Sequence, residues 1–198
     1  MFTGIVEETV TVIETMGAGE GKRIRVTRPE TVKKLSEGES ISLSGTCLTV
    51  EKFNSESISF FLAEETLEKT WFSEISEGEE LNFERSLKPD DRIGGHIVQG
   101  HVETTAEVLE VEELEEGWNL KFEKPKELEN LLVHKGFIAV EGISLTVTEV
   151  DEESFSATII PETWNRTNLS GKTEGDPVNL EPDMMAKYVE KNSGNRGI

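Results

Sequence analysis

GTCLTV, residues 45–50, returns almost unchanged as GISLTV at residues 142–147. A longer stretch, FTGIVEETVTVIE at residues 2–14, returns as VQGHVETTAEVLE at residues 98–110. The offsets are 97 and 96 positions, so the two pairs keep the same order and nearly the same spacing. This pattern indicates that the chain is a tandem duplication.

A third repeated block extends the duplication to most of the chain. The matched positions are Glu65, Thr66, Thr70, Gly78, Asn82 and Glu84 in the first half, and Glu162, Thr163, Thr167, Gly175, Asn179 and Glu181 in the second. A repeat of about 90 residues is too long for a solenoid unit of ~20–50 residues and long enough for a small domain with its own core. Two similar halves predict two similar sites.

The chain is strongly acidic: 40 Asp and Glu residues oppose 20 Lys and Arg residues, which gives a formal net charge of -20 at pH 7. Such a surface repels phosphate backbones and anionic lipid headgroups, so it disfavours nucleic-acid and membrane partners. The simplest interpretation is a solvated acidic surface. The excess also suits a salt-rich cytoplasm, as in a halophilic cell, where the charge is screened.

The sequence predicts a cytoplasmic protein. No apolar run approaches the ~20 residues that a membrane span needs, and the N-terminus opens directly into strand-like sequence. Cys47 is the only cysteine, so no internal disulfide can form, in agreement with a reducing compartment.

Twelve runs have the alternation and β-branched content of strands. In the first half they lie near residues 5–14, 22–28, 39–44, 46–53, 57–63 and 80–84. In the second half they lie near residues 101–111, 118–124, 136–141, 143–150, 154–160 and 177–181. Six antiparallel strands with one apolar face must close or form a sandwich, so we predict an all-β protein of two tandem six-stranded Greek-key barrels.

Three helical segments are predicted around this frame. Pro29–Leu35 and Pro125–Val133 lie at matching places between the second and third strands of each half. A terminal helix from Met184 to about Lys191 carries an apolar stripe that either docks on its own barrel or packs against copies of itself. The predicted domains are residues 1–93, residues 94–182, and a helix and tail at 183–198.

The repeated GTCLTV and GISLTV strands are candidate binding surfaces. Strand alternation places Cys47 and Thr49 on one face, and Ser144 and Thr146 on the corresponding face of the second copy. Small hydrogen-bonding side chains in both copies suit a concave surface for a flat polar ligand. Tight packing against a neighbouring loop is the structural alternative.

The glycine-rich stretch GGHIVQGHV, residues 94–102, contains two histidines five positions apart. A continuous strand would point His96 and His101 to opposite faces, so they are poorly placed to share a metal. His134 is isolated and is predicted to lie on the surface. Standard phosphate-binding loops, nucleophile elbows, zinc-protease motifs and kinase motifs are absent from the sequence.

Five segments together resemble riboflavin synthase of the two-barrel, alpha-subunit type. They are MFTGIVEE at the N-terminus, GTCLTV, IGGHIVQGHVETTAEV, KGFIAVEGISLTV and IIPETWNRTNL, and they span nearly the whole chain. The resemblance implies two barrels and a C-terminal helix that joins three chains into a homotrimer. It also implies a dismutation without cofactor or metal, in which two 6,7-dimethyl-8-ribityllumazine molecules give riboflavin and 5-amino-6-ribitylamino-uracil. Lumazine synthase is a candidate protein partner.

This reaction gives the duplication a chemical rationale. Two identical substrate molecules need two similar pockets, and in the family these belong to the N-barrel of one chain and the C-barrel of its neighbour. Holding both rings in near-attack geometry can supply several kcal/mol, up to ~7–11 in well-oriented intramolecular reactions. One molecule loses a proton from its 7-methyl group, while the other takes a nucleophile at C7 and donates a four-carbon unit.

The family's substrate-binding segments map onto both halves. In the N-barrel the resemblance assigns Gly4, Ile5, Val6, Cys47, Leu48, Thr49, Phe61, Leu62, Ala63, Glu64, Glu65 and Thr66. In the C-barrel it assigns Gly100, His101, Val102, Lys135, Ser144, Leu145, Thr146, Thr158, Ile159, Ile160, Pro161, Glu162 and Thr163. Backbone groups would pair with the ring edge, and Glu65, Glu162 or nearby hydroxyls with the ribityl chain.

For the chemical steps the predicted residues are Cys47, Ser144, Thr49, His101, Asp183 and Phe2. A thiol or hydroxyl would place or generate the nucleophile, and His101 would shuttle a proton. Phe2 would order an N-terminal lid over a ring. Asp183 has a competing role as N-cap of the terminal helix.

Two positions depart from the family pattern. The stretch AEETLEKTWF, residues 63–72, stands where TNL or TTL usually follows the ET segment, which affects the predicted ribityl site of the N-barrel. Glu141 stands where Asp is common, a one-methylene change that keeps the charge.

Two other functions have to be weighed. A non-catalytic carrier like lumazine protein would share the duplicated barrels, but such carriers tend to lose the GHxVxGHV and CLTV elements that this chain keeps. An oligonucleotide-binding barrel is disfavoured by the acidity and by the lack of an aromatic and basic strand face.

Overall fold

The computed structural model describes residues 1–193, and over this range the chain forms two closed antiparallel barrels of six strands each. The strands of the first barrel are β1 Glu8–Ala18, β2 Gly21–Thr27, β3 Ser40–Leu43, β4 Thr46–Phe53, β5 Ser57–Leu62 and β6 Glu80–Arg85. Those of the second are β7 Thr104–Leu114, β8 Gly117–Glu123, β9 Phe137–Val140, β10 Ile143–Val150, β11 Ser154–Ile159 and β12 Pro177–Pro182. The predicted all-β, two-barrel fold is confirmed.

Both barrels have Greek-key connections. In the first, β3, β4 and β5 form a meander, and β6 returns to lie beside β3, giving the order β1-β2-β5-β4-β3-β6. The second barrel repeats this order with the equivalent strands. Closure leaves no free sheet edge, as a six-stranded sheet with one apolar face requires.

The barrel cores follow from strand alternation. In β4, Leu48 and Val50 point into the first barrel, while Cys47 is half-buried and Thr49 is exposed on the other face. In β10, Leu145 and Val147 are buried in the second core in the same way. The predicted division of these two strands into an apolar and a polar face is confirmed.

The first strand of each barrel starts later than predicted. We expected strands from residues 5 and 101, but β1 begins at Glu8 and β7 at Thr104. The residues in front of both strands leave their own barrel, as described below for the candidate site.

Two of the predicted helices are wrong. Residues 29–35 form turns and irregular backbone, and the second predicted segment contains only a short 3-10 turn, Lys126–Leu128. Val32 and Leu128 are nevertheless buried in the barrel cores, so their helix-like apolar spacing serves to plug a barrel end. The Arg28 guanidinium also donates to the carbonyl oxygen of Val32, which a helix would use for its own ladder.

The real helices between strands follow β5 and β11. They are α1, Glu64–Lys69, and α2, Pro161–Arg166, and each continues into a 3-10 turn, Trp71–Ser73 and Asn168–Gly171 respectively. Both 3-10 turns start with a threonine, Thr70 or Thr167, whose hydroxyl oxygen accepts a backbone N–H.

The C-terminal helix α3 spans Met184–Ser193, which confirms the predicted terminal helix. Its apolar side chains Met185, Tyr188 and Val189 are exposed. The last five residues of the predicted 183–198 segment lie outside the described part of the chain. Within residues 1–193 we find no helix with the length and apolarity needed to span a bilayer.

A buried polar layer joins the two barrels. Glu141 is fully buried and accepts hydrogen bonds from Trp71 Nε1 at 2.8 Å, Asn168 Nδ2 at 2.8 Å and the backbone N–H of Asn179 at 2.6 Å. The two departures from the family pattern therefore meet in a single hydrogen bond, between Trp71 and Glu141. Trp71 faces this layer, and the duplicated chain has Asn168 at the equivalent position of its second half.

Candidate active site

The two segments in front of the barrels cross over to the opposite barrel. Phe2 and Val98 pair with each other through two backbone hydrogen bonds of 2.7 and 3.1 Å. Beyond this pair, the carbonyl oxygen of Gly4 accepts the N–H of Ser144 at 2.8 Å, and that of Gly100 accepts the N–H of Cys47 at 2.8 Å. We call residues 2–6 and 98–102 the exchanged segments.

The exchange reverses part of the predicted grouping. Gly4, Ile5 and Val6 were expected in the N-barrel site, but Gly4 contacts Ser144 and Val6 is buried in the core of the C-barrel. Residues 100–102 were expected in the C-barrel site, yet they lie beside Cys47 on the N-barrel. The repeat identifies equivalent residues, but it does not say which barrel each segment contacts.

The close approach of the exchanged segments depends on glycine. Gly4 and Gly100 have φ angles of +74° and +81°, a region that other residues rarely adopt. A Cβ atom on Gly4 would lie 2.6 Å from the Cβ of Ser144, and one on Gly100 would lie 2.6 Å from the Cβ of Cys47. Each site is therefore built around a glycine pressed against a small nucleophilic residue.

A cavity of about 610 Å³ opens at the N-barrel site. Its lining includes Cys47, His101 and Glu65, which join β4, an exchanged segment and α1. Its volume lies within the ~300–1,000 Å³ usual for small-molecule sites. Thr46 and Lys69, which the sequence did not single out, also line it, and Thr46 Oγ1 is buried without a hydrogen-bond partner in the described structure.

Ser144 and His96 form the centre of the C-barrel site. The Nδ1 atom of His96 lies 2.7 Å from Ser144 Oγ, and its ring stacks on Phe137 at 5.2 Å between centroids. Its Nε2 atom is buried and has no hydrogen-bond partner within residues 1–193. The sequence did not predict this contact, because residues 94–102 do not form the continuous strand that we assumed.

The other predicted binding residues divide by strand alternation. Leu48, Leu62, Leu145 and Ile159 point into the barrel cores, so only their backbone can reach a ligand. Side chains that are exposed or half-buried are Thr49, Phe61, Ala63, Glu64, Glu65, Thr66, Lys135, Thr146, Thr158, Ile160, Pro161, Glu162 and Thr163. Phe61 is covered by the guanidinium of Arg23, 5.2 Å from the ring centroid, and Glu162 pairs with Arg166 on α2.

Arg166 also ties α2 to Glu7, the residue that directly follows the first exchanged segment. Its guanidinium donates to the carbonyl oxygen of Glu7 at 2.9 Å and to the carboxylate of Glu162 at 3.1 Å. The equivalent position in the first half is Lys69, which lines the N-barrel cavity. The two sites therefore share a similar backbone arrangement but differ in their side chains.

Phe2 does not occupy the predicted lid position. Its side chain is fully buried between the barrels with Val98 and Ala139, and Cys47 packs against this cluster. Phe2 therefore supports the floor under Cys47.

Two buried carboxylates, for which no role was predicted, hold the exchanged segments. Glu84 accepts the N–H groups of Thr3 and Gly4, and Glu181 accepts those of Gln99, Gly100 and His101. Burial raises the pKa of both Glu84 and Glu181, while the N–H donors oppose the rise. Their matched offset of 97 in the sequence was the available signal.

Asp183 caps α3: its Oδ1 accepts the N–H of Met185 at 2.9 Å. Because Asn caps helices about as well as Asp, Asp183→Asn should leave the free energy of unfolding within about 0.5 kcal/mol of wild type. If the carboxylate also serves catalysis, turnover should fall at least about ten-fold. Denaturant unfolding and steady-state assays of the same preparation measure both, and unchanged turnover would leave only the capping role.

Burial lowers the pKa of His96, and the negative charge of Asp183 opposes this shift. The unfolded chain, with a His pKa near ~6.5, then binds the proton more readily than the folded chain, so stability falls as pH drops through that value. We expect His96→Gln to lose less stability than wild type between about pH 7 and 5.5. Urea unfolding at several pH values tests this, with the exposed His134→Gln as control, and parallel curves for His96→Gln and wild type would contradict it.

Among residues 1–193, no three His, Cys, Asp or Glu side chains are arranged to bind a metal ion together. His96 and His101 lie in different sites: the first contacts Ser144 and the second lines the N-barrel cavity.

Comparison with known proteins gives the same repeat. Residues 3–86 and 99–183 each match the lumazine binding domain. The riboflavin synthase of Chlamydia pneumoniae is 42% identical over 189 residues, covering 94% of this chain and 92% of the relative. Those of Escherichia coli K12 and Actinobacillus pleuropneumoniae are 38% and 36% identical over 191 residues, covering 96% of this chain and 90% and 89% of the relatives.

Solved structures share the fold. LumP complexed with riboflavin superimposes with a TM-score of 0.86 at 22% sequence identity, covering 92% of this chain and 99% of LumP. LumP complexed with 6,7-dimethyl-8-(1'-D-ribityl) lumazine gives a TM-score of 0.84. At this identity the likeness concerns the arrangement of the two barrels.

Proposed function

The chain belongs to the riboflavin synthase family, each half being a lumazine binding domain, and we infer that it is the enzyme that converts two 6,7-dimethyl-8-ribityllumazine molecules into riboflavin and 5-amino-6-ribitylamino-uracil. The observation that carries this conclusion is the doubled site. Each barrel presents a small nucleophilic residue, Cys47 or Ser144, against the glycine of an exchanged segment. A reaction between two identical substrate molecules needs two such binding sites.

We propose substrate-binding and catalytic roles according to the barrel that each exchanged segment contacts. We assign Cys47, Thr49, His101, Glu65 and Thr66 to the lumazine at the N-barrel. The cavity that holds Cys47 and His101 together supports this assignment. Proximity of the two rings supplies the main rate enhancement, since well-oriented reactants gain up to ~7–11 kcal/mol.

At the C-barrel we assign Ser144, Thr146, Lys135, Glu162 and Thr163 to the second lumazine. The contact between Ser144 Oγ and His96 supports a hydroxyl that is oriented for nucleophilic or proton-transfer work. Lys135 has a φ angle of +64° and an exposed side chain at the turn before β9.

We further propose that three chains associate through α3 and that the N-barrel of one chain faces the C-barrel of its neighbour. The exposed Met185, Tyr188 and Val189 support this, because an unpaired apolar stripe on a short helix gains stability by packing. A site shared between chains loses specific activity on dilution. Sedimentation and activity measured over the same concentration range therefore test it, and constant specific activity through dissociation overturns it.

Activity itself is tested by incubating the protein with 6,7-dimethyl-8-ribityllumazine and following riboflavin absorbance. Equal amounts of riboflavin and 5-amino-6-ribitylamino-uracil are expected. Binding of the lumazine without product would instead identify a carrier of the lumazine-protein type, the alternative that the shared fold with LumP keeps open.

A cytoplasmic location, the domain division at residues 93 and 182, and a partnership with lumazine synthase are further proposals. The single Cys47 supports a reducing compartment. Only the resemblance supports lumazine synthase, and co-sedimentation of the two purified proteins tests it.

The net charge of -20 supports adaptation to a salt-rich cytoplasm. Because salt screens the mutual repulsion of exposed carboxylates, raising KCl from about 0.1 to 2 M should raise the melting temperature by several degrees. Thermal unfolding in KCl measures this, with an uncharged osmolyte of equal osmolality as control. A flat response to KCl would contradict the adaptation.

A further inference from the structure

One buried carboxylate holds each exchanged segment. The carboxylate belongs to one barrel, and the segment that it holds completes the candidate site of the other barrel. Glu84 belongs to β6 of the N-barrel and binds Thr3 and Gly4 through hydrogen bonds of 2.7 to 3.1 Å. The segment that it holds continues to Ser144 on the C-barrel.

The second half repeats the arrangement in the opposite direction. Glu181 belongs to β12 of the C-barrel and accepts the N–H groups of Gln99, Gly100 and His101 at 2.6, 2.8 and 2.7 Å. The segment that it holds continues beside Cys47 and His101 in the N-barrel cavity.

Both carboxylates are almost completely buried, with relative exposures of 6% for Glu84 and 4% for Glu181. A buried carboxylate is costly unless its lone pairs are filled. Here the donors are consecutive backbone N–H groups of a segment that belongs to no strand or helix and pairs with the other segment only at Phe2 and Val98. The charge therefore fixes the backbone conformation of the segment, much as an anion organises a nest of amides.

We propose that Glu84 and Glu181 are crossed positioning residues: Glu84, in the N-barrel, shapes the lumazine site of the C-barrel, and Glu181, in the C-barrel, shapes that of the N-barrel. This inference rests on the proposed function, because it assigns the two sites to lumazine-type ligands. Glu181 is not among the residues that line the N-barrel cavity, so it acts on that site through the segment that it holds.

Glu84→Gln and Glu181→Gln in the full chain test the proposal, because Gln keeps the size but replaces one acceptor oxygen by a donor that repels the backbone N–H groups. Hydrogen exchange with and without riboflavin as probe reports each site separately. Peptides over α1 and β4 report the N-barrel, and peptides over α2 and β10 report the C-barrel.

In Glu181→Gln we expect protection of the N-barrel peptides to need about ten-fold more riboflavin, with the C-barrel peptides unchanged within two-fold. Glu84→Gln should give the mirror result. The kinetic expectation is a raised KM in both variants. Three results would overturn the proposal: weaker riboflavin protection in the barrel that carries the mutated residue, equally weaker protection in both barrels, or unchanged protection in both.

Each variant controls the other, because general destabilisation would weaken both sites in both variants. Glu110→Gln, an exposed position on β7, has the same charge change and should alter neither site. If a Gln variant does not fold, the same measurements can be made on Glu84→Asp and Glu181→Asp. These variants keep the charge but move it back by one methylene.

Failure of the proposed function can be told apart from failure of this inference. If riboflavin protects neither barrel of the wild type, the ligand class is wrong. Exchange without ligand still decides the positioning role: Glu84→Gln must speed exchange at Thr3 and Gly4 alone, and Glu181→Gln at residues 99–101 alone. Identical exchange in variant and wild type would overturn it.

Discussion

Gly4→Ala should reduce turnover by about 100-fold and the free energy of unfolding by about 2–4 kcal/mol. The left-handed φ angle costs roughly 1 kcal/mol for alanine, and the clash of the new Cβ with Ser144, 2.6 Å away, adds about 1–3 kcal/mol. The clash can be relieved only by moving the exchanged segment away from Ser144. A displacement of about 1 Å in a reactive site can cost about 100-fold in rate.

Gly78→Ala is the matched control. Gly78 also has a positive φ angle, +96°, but its Cβ would have no atom within 4 Å. It should lose roughly 1 kcal/mol and keep wild-type turnover. Denaturant unfolding and steady-state kinetics of both variants measure the difference, and equal turnover for Gly4→Ala and wild type would show that the exchanged segment has no part in the site.

Glu141→Ala should be the most destabilising single substitution in the layer between the barrels, at about 3–5 kcal/mol. It leaves three buried donors, on Trp71, Asn168 and Asn179, without their acceptor, and each unsatisfied donor costs about 1–3 kcal/mol. A loss of this size is a large share of the 5–15 kcal/mol typical of a folded protein.

Two controls accompany Glu141→Ala. Glu141→Gln keeps one carbonyl acceptor and should cost about half as much. Glu107→Ala removes an exposed carboxylate and should stay within about 0.5 kcal/mol of wild type. Urea unfolding followed by tryptophan fluorescence measures all three, and a cost below about 1 kcal/mol for Glu141→Ala would mean that the layer is readily rehydrated.

The fold was largely predictable because it depends on local alternation repeated twice. Leu48 and Val50 alternate with Cys47 and Thr49, and such a pattern has only one apolar face to bury. The helices were less predictable. Val32 and Leu35 have helical spacing but pack as loop side chains, whereas α1 and α2 contain no buried residue to produce an apolar period.

The repeat predicted which residues are equivalent, but not which contacts they make. The repeat pairs Cys47 with Ser144, and both lie at the sites we describe. The sequence could not reveal that Gly4 would contact Ser144, because an internal repeat looks the same whether each segment stays on its own barrel or crosses. Long-range contacts such as His96 with Ser144 likewise leave no local pattern.

The departures from the family pattern became intelligible only in three dimensions. A tryptophan at position 71 and a glutamate at position 141 look unrelated in the sequence, being 70 residues apart. In the structure the longer carboxylate reaches the indole N–H at 2.8 Å. Glu65 and Thr66, which we propose as lumazine-binding residues, line the N-barrel cavity.

Because residues 2–6 cross to the second barrel, they can reach their final packing only late in biosynthesis. The carbonyl oxygen of Gly4 finds its backbone partner only when Ser144 has been synthesised, roughly 7–28 s later at ordinary elongation rates of ~5–20 residues per second. Until the second barrel forms, Val6 also lacks the core in which it is buried. The first half of the chain therefore remains incompletely packed until the second half has been synthesised.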